Sequence, residues 1–269
     1  MSAVWLFVLS QNLSLKDIKI MEHKRLTLFA GHYGSGKTNI AVNYAIALAK
    51  EGKKVVIGDL DIVNPYFRTA DSAKDLEKAG VELISPKFAN SNVDLPALPA
   101  EAYRLVQDKS VYAIMDIGGD DRGAYALGRY APFIKAENNY RMVFVANASR
   151  PLTRTPEEAL EVMQEIENAC GIAFTCIVNN TNLAAETTPE TVLNSAIYIE
   201  RLCALSGLPL WLTTAEQEVA KGLSGKLSHV FPLQLQEKYS IYHPSGRMTV
   251  RCGVKEDIYG KSNIPNRSL

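Results

Sequence analysis

From residue 25 onward the chain alternates short, largely apolar runs with longer segments whose apolar residues recur at helical spacing. Runs at 26–30, 54–59, 81–84, 111–117, 141–146, 174–179 and 209–213 have the length and β-branched content of buried strands. Between them, 38–50 carries Ile40, Tyr44 and Leu48 in one row and Val42 and Ile46 in another. So little polar surface predicts a helix covered on most sides, and Gly52 ends it. Further helices are predicted over 124–134, over 156–170 and over 188–207. The third of these four opens with Thr155 as N-cap, Pro156 at the first helical position and Glu158 closing a capping box.

Continuous apolar strands separated by helices predict an α/β fold: a doubly wound, mostly parallel sheet of about seven strands covered by helices on both faces. No Pro-, Gly- or Ser-rich linker and no internal repeat divides the chain, so one domain over 21–240 is expected. Ahead of it, 1–20 contains the apolar run 3–9, with no basic residue before it and no small-residue cleavage site. Met21 and a charged tetrad then precede the first strand, so 1–20 is read as an extension outside the core. The segment 241–269 is a polar, aperiodic tail.

Composition narrows the class. Hydrophobic residues make up 47% of the chain, enough for a substantial core. The 29 basic and 29 acidic side chains cancel, which argues against gripping DNA or an anionic membrane through bulk charge. No stretch reaches the roughly 18 apolar residues of a membrane-spanning helix. The cysteines, at 170, 176, 203 and 252, form no CxxC pair and have no zinc-ligand spacing, as reduced thiols of a cytoplasmic protein would.

The first strand leads directly into Gly31-His32-Tyr33-Gly34-Ser35-Gly36-Lys37-Thr38, which fits G-x-x-x-x-G-K-[ST] and opens a helix continuing with Asn39. Its glycines let the backbone curl so that successive N–H groups converge on phosphate oxygens, and the helix N-terminus adds its positive dipole end. Lys37 is the candidate to bridge the β- and γ-phosphates as a catalytic group, and the Thr38 hydroxyl to ligate Mg²⁺.

Two acidic strand ends follow. The second strand finishes Asp59-Leu60-Asp61, beyond the carboxyl end where α/β sheets bind ligands. A carboxylate there suits contact with the metal's water shell, or orientation of the water attacking the γ-phosphate; a solvated turn is the plainer alternative. The run ending Met115-Asp116 continues Ile117-Gly118-Gly119, a metal-holding aspartate merged with a D-x-x-G switch whose Gly119 N–H can sense the γ-phosphate. After the strand 174–179, Asn179 and Asn180 stand where a base would be read, and an amide can pair with adenine N6 and N7. Asn179 serves equally as a turn former. No N-K-x-D or T-K-x-D guanine reader occurs, which favours ATP over GTP.

In this order, the phosphate loop, Asp59-Leu60-Asp61, Asp116 to Gly119 and the Asn179 strand end resemble the MinD/ParA-type ATPases of the CobQ/CobB/MinD/ParA nucleotide-binding group. The resemblance implies a doubly wound sheet, ATP and Mg²⁺ as cofactors, and Asp61 positioning the attacking water; Asp59 and Asp116 join Thr38 as the candidates at the metal. Two departures stand in the loop. That group carries a signature lysine at the position of His32, reaching across a dimer to the partner's phosphates, and a glycine at the position of Tyr33. A homodimer remains compatible, but hydrolysis that depends on it is not expected.

An ATPase switch acting on an unidentified protein partner is the leading expectation. The resemblance brings no iron–sulfur cluster here, because no CxxC pair is present. Alternatives on the same fold are an ATP-dependent ligase or kinase of the dethiobiotin or cobyrinate synthetase type, a GTPase metal-insertion chaperone, and a non-hydrolysing nucleotide sensor.

Overall fold

A computed structural model describes residues 23–60, 69–85, 100–119 and 121–235. Eight strands form one sheet: β1 (Leu26–Ala30), β2 (Val55–Leu60), β3 (Glu82–Ile84), β4 (Tyr112–Ile117), β5 (Tyr140–Ala146), β6 (Cys176–Asn179), β7 (Leu210–Glu216) and β8 (Val230–Leu233). Their spatial order is β3-β2-β4-β1-β5-β6-β7-β8, and every neighbouring pair is parallel. From β1 the chain moves two places away to β2, goes outward to β3 and returns to fill the gap with β4. It then crosses β1 and runs outward through the remaining strands. Such a reversal leaves a crevice beyond the carboxyl ends of the central strands, where open α/β sheets bind ligands.

Successive side chains on a strand face opposite ways, so β1 divides its residues between two cores. Leu26, Leu28 and Ala30 join one with Met115, Ile117, Met142 and Phe144. This core is covered by α3 (Arg104–Gln107), α4 (Asp121–Gly128), α5 (Ala131–Glu137), α6 (Pro156–Cys170) and α8 (Ala196–Ser206). Phe29 faces the other, which α1 (Lys37–Lys50) and α2 (Ala73–Lys78) cover. There α1 buries Ile40, Ala41, Tyr44, Ala45 and Leu48. Each fully buried Ile or Leu contributes about 1.5–3 kcal/mol relative to exposure, so the α1–sheet contact is held mainly by area removed from water. A small third cluster joins Val192 of α7 (Pro189–Asn194), Ala215 of β7 and Leu223 of α9 (Gln217–Leu223).

Several expected elements are subdivided. The predicted 124–134 helix is instead α4 and α5, broken where Tyr130 enters the core and Pro132 opens a new first turn. The 188–207 helix is likewise α7 and α8, and Ser195 sits between them with its hydroxyl donating to the Val192 carbonyl at 2.7 Å. An eighth strand joins the seven expected: β8 carries Pro232 and pairs only with β7, an edge position where a missing N–H is tolerated. The capping box at Thr155 forms as expected, with the Glu158 N–H donating to Thr155 Oγ1 at 3.2 Å.

At the base of the sheet, Arg25 is 7% exposed and forks onto the Glu137 carboxylate, while donating to the carbonyls of Leu105, Asp108 and Val111. Burial by itself would raise the Glu137 pKa, but the hydrogen bonds from Arg25 and Lys109 outweigh it and hold the carboxyl below its ordinary value. Cys170, Cys176 and Cys203 are free thiols. Residues 1–20, the 241–269 tail and Asp61 lie outside the described residues. Among the described residues, no helix is long and apolar enough to cross a membrane.

Candidate functional site

The loop from Gly31 to Gly36 leaves the carboxyl end of β1 and enters α1, at the reversal in strand order. Gly34 and Gly36 take φ of +74° and +93°, a region that side-chain-bearing residues avoid. At Gly36 there is also no room: a Cβ would lie 2.2 Å from Asn180 Nδ2. The turn closes through the Ser35 N–H, which donates to the His32 carbonyl at 3.1 Å. Lys37 is buried, and its ammonium donates to the same carbonyl at 3.2 Å. It is thus held over the loop that would receive the phosphates. The Ser35 side chain is buried with its hydroxyl oxygen unpartnered. Thr38 and Asn39 are half-buried in the first turn of α1, and the Asn43 amide donates to the Asn39 carbonyl at 2.8 Å. His32 is half-buried and Tyr33 exposed at the rim.

Asp59 and Asp116 are direct register partners on β2 and β4, exposed to 2% and 1%. Thr69, in the 3-10 turn Thr69–Ser72, donates its hydroxyl to Asp116 Oδ2 at 3.0 Å. Two carboxylates buried side by side beyond the phosphate loop attract a cation strongly. A Mg²⁺ site of this kind needs only one or two carboxylates, with phosphates and waters completing its oxygen shell, so the donor set fits that ion.

Past the end of β4 the chain meets the loop at Gly119. A Cβ at Gly119 would lie 2.6 Å from the Tyr33 nitrogen and 2.8 Å from Lys37 Nζ. Only glycine allows this approach, so the expected sensor segment and the phosphate loop are in backbone contact.

The two asparagines after β6 have partners other than a base. Asn179 is 3% exposed; its amide donates to Ser195 Oγ at 2.9 Å, and its oxygen accepts from the Thr181 N–H at 3.1 Å. Asn180 donates to the Ser35 carbonyl at 2.7 Å and accepts from Thr214 Oγ1 at 2.7 Å. Both ends of each amide therefore carry a protein partner. Asn180 is a brace for the phosphate loop, and Asn179 holds the break between α7 and α8.

Sequence reasoning missed the loop after β5. Asn147 is fully buried, and its side-chain oxygen accepts from the Ser149 N–H at 3.0 Å. Thr153 Oγ1 donates to the Asn147 carbonyl at 2.9 Å, and Tyr198 OH donates to the Thr153 carbonyl at 2.9 Å. Burial pushes the Tyr198 phenol well above its ordinary range, so it stays a donor. This scaffold carries Arg150 to the face of Gly34. The available sequence signal was an arginine followed by proline just after a buried strand.

The family model of the CobQ/CobB/MinD/ParA nucleotide binding domain (CbiA) matches residues 26–205. Comparison with curated proteins finds no match. Among solved structures, FtsY from Thermotoga maritima is 18% identical with a TM-score of 0.48, over 79% of this chain and 68% of that one. FtsY from Mycoplasma mycoides is 17% identical with a TM-score of 0.46, over 72% of this chain and 60% of that one. The signal recognition particle 54 kDa protein from Aeropyrum pernix, in complex with GDP, is 17% identical with a TM-score of 0.46, over 71% and 41%.

Proposed function

Because the chain belongs to the CobQ/CobB/MinD/ParA nucleotide-binding domain family, we propose that it binds ATP with Mg²⁺, hydrolyses it, and uses the change of nucleotide to switch its hold on a partner protein. One observation carries this reading: Gly119 touches the phosphate loop beside Lys37. A γ-phosphate seated against Lys37 must displace or engage the Gly119 N–H, so the segment leading from it into α4 reports which nucleotide is bound.

In this reading the loop N–H groups and the α1 N-terminus bind the polyphosphate, and Lys37 neutralises charge between its β and γ groups. Thr38, Asp59 and Asp116 would hold Mg²⁺, which when bound would neutralise charge on the transferring phosphoryl group. Asp61, next after β2, orients the attacking water and takes its proton. Adenine preference rests on the missing guanine-reading motif and not on Asn179, whose amide is engaged elsewhere. The free thiols at Cys170, Cys176 and Cys203 and the balanced charge support a cytoplasmic setting in this reading.

Melting curves with ATP, ADP or GTP, each with and without Mg²⁺, test the reading. A ligand bound only by the native state raises the melting temperature by mass action, so ATP with Mg²⁺ should give the largest rise. No rise with any nucleotide would end the proposal, and a rise with GTP alone would transfer it to a guanine nucleotide. Phosphate release per molecule, measured against protein concentration, then tests self-association. A flat profile is expected with His32 in the loop, and a steep climb would mean a site assembled between two copies.

A further inference from the structure

We propose that Arg150 is a phosphate-contacting residue of this site, supplying a guanidinium from the same chain to the polyphosphate of the bound nucleotide; this rests on the nucleotide reading above. A Cβ at Gly34, the apex of the phosphate loop, would lie 3.6 Å from both Cζ and Nε of Arg150 and 3.8 Å from its Cδ. The guanidinium therefore lies against the loop, close to N–H groups that carry the positive end of α1.

Arg150 Nε is buried without a hydrogen-bond partner, and among the described residues no carboxylate pairs with this side chain. A positive charge held against the loop that opens a helix is electrostatically opposed by the positive end of that helix. An anion seated on the loop N–H groups turns that opposition into attraction. Guanidinium is the side chain best matched to phosphate, because its planar fork can donate two parallel hydrogen bonds.

The side chain is also launched from a fixed base, as a preorganised contact requires. Its own N–H donates to the Asn147 carbonyl at 3.2 Å, and its carbonyl accepts from the Thr153 N–H at 3.2 Å. The Ala148 N–H donates to Thr181 Oγ1 at 3.2 Å, tying this loop to the one after β6. Pro151 restricts the backbone immediately after it.

The test compares wild type, Arg150→Met and Arg150→Lys as full chains, titrated with ATP, ADP, AMP and inorganic tripolyphosphate in the presence of Mg²⁺. Methionine keeps an apolar stem over Gly34 and removes the charge; lysine keeps the charge and removes the fork. Arg150→Met should weaken ATP, ADP and tripolyphosphate by about tenfold or more and AMP much less, with lysine restoring only part of the loss. Without ligand, Arg150→Met should melt no lower than wild type, since a buried unpaired donor has been removed. Affinities within about twofold of wild type for all four probes would overturn the proposal while leaving the nucleotide reading intact. Failure of the wild type to bind any probe would instead sink the nucleotide reading, and the arginine's role with it. If Arg150→Met does not fold, Arg150→Lys decides: wild-type ATP affinity there would exclude the bidentate contact.

Discussion

Asn180 donates its side-chain amide to the Ser35 carbonyl at 2.7 Å, across a separation of 145 positions, and so ties the end of β6 to the middle of the phosphate loop. The same side chain accepts from Thr214 on β7. The loop is thereby braced by strands on one side of the sheet, while Gly119 presses on it from the other. A phosphate loop must hold its N–H groups in place before the ligand arrives, and these two contacts do so.

Asn180→Ala should lower stability by about 1–3 kcal/mol, because a buried carbonyl loses its partner. Thr214 suffers less, since its hydroxyl also reaches the Asn179 carbonyl at 3.2 Å. Urea unfolding should show a lower midpoint with an unchanged slope. Nucleotide affinity should fall as well, since Ser35 is no longer held.

Gly119→Ala places a methyl group 2.6 Å from the Tyr33 nitrogen and 2.8 Å from Lys37 Nζ. Because the contact is with backbone, the β4–α4 connection has to lift off the loop. Far-UV circular dichroism should be unchanged, while the melting-temperature rise with ATP and Mg²⁺ shrinks towards that with ADP. An undiminished ATP response would show that this segment does not read the γ-phosphate.

Lys37→Ala should fold and lose most of its ATP affinity, whereas Asp61→Ala should keep binding and lose about 10²-fold or more in hydrolysis. Paired calorimetric titration and single-turnover phosphate release separate the two effects. Normal ATP binding by a folded Lys37→Ala protein would sink the phosphate-loop assignment. Unchanged turnover in Asp61→Ala would remove that carboxylate from the mechanism.

The Arg25–Glu137 pair makes a pH-dependent contribution away from the site. The folded-state pKa of Glu137 is depressed, so its stabilisation is present above the unfolded value and is lost as pH falls through the folded one. Glu137→Gln should therefore cost about 1.5–3 kcal/mol at pH 7, the range for hydrogen bonds to charged groups. The gap to wild type should begin to narrow below roughly pH 4, the ordinary range of a glutamate, and close only once the pH has passed below the depressed folded value. A gap that does not narrow at all as the pH falls below about 4 would mean the loss is one of packing and not of charge.

What the sequence determined by itself is what neighbours along the chain determine. The spacing of Gly31, Gly36, Lys37 and Thr38 between an apolar strand and an apolar helix specifies a phosphate loop, because those residues act on each other within a few positions. Continuous apolar strands likewise specify a parallel sheet with two covered faces, and Thr155, Pro156 and Glu158 specify a helix start. Where tertiary contacts compete with local pattern, the pattern misleads. Ser195 is drawn to Asn179 and interrupts a periodic helix, and β8 forms around a proline because the edge of β7 is there to receive it. The bracing of Ser35 by Asn180, the seat of Gly119 on the loop and the approach of Arg150 to Gly34 were decided only by the strand order. That order places the ends of β4, β5 and β6 around the end of β1, and side-chain periodicity, which reports only which face a residue takes, carries no record of which strand lies beside it.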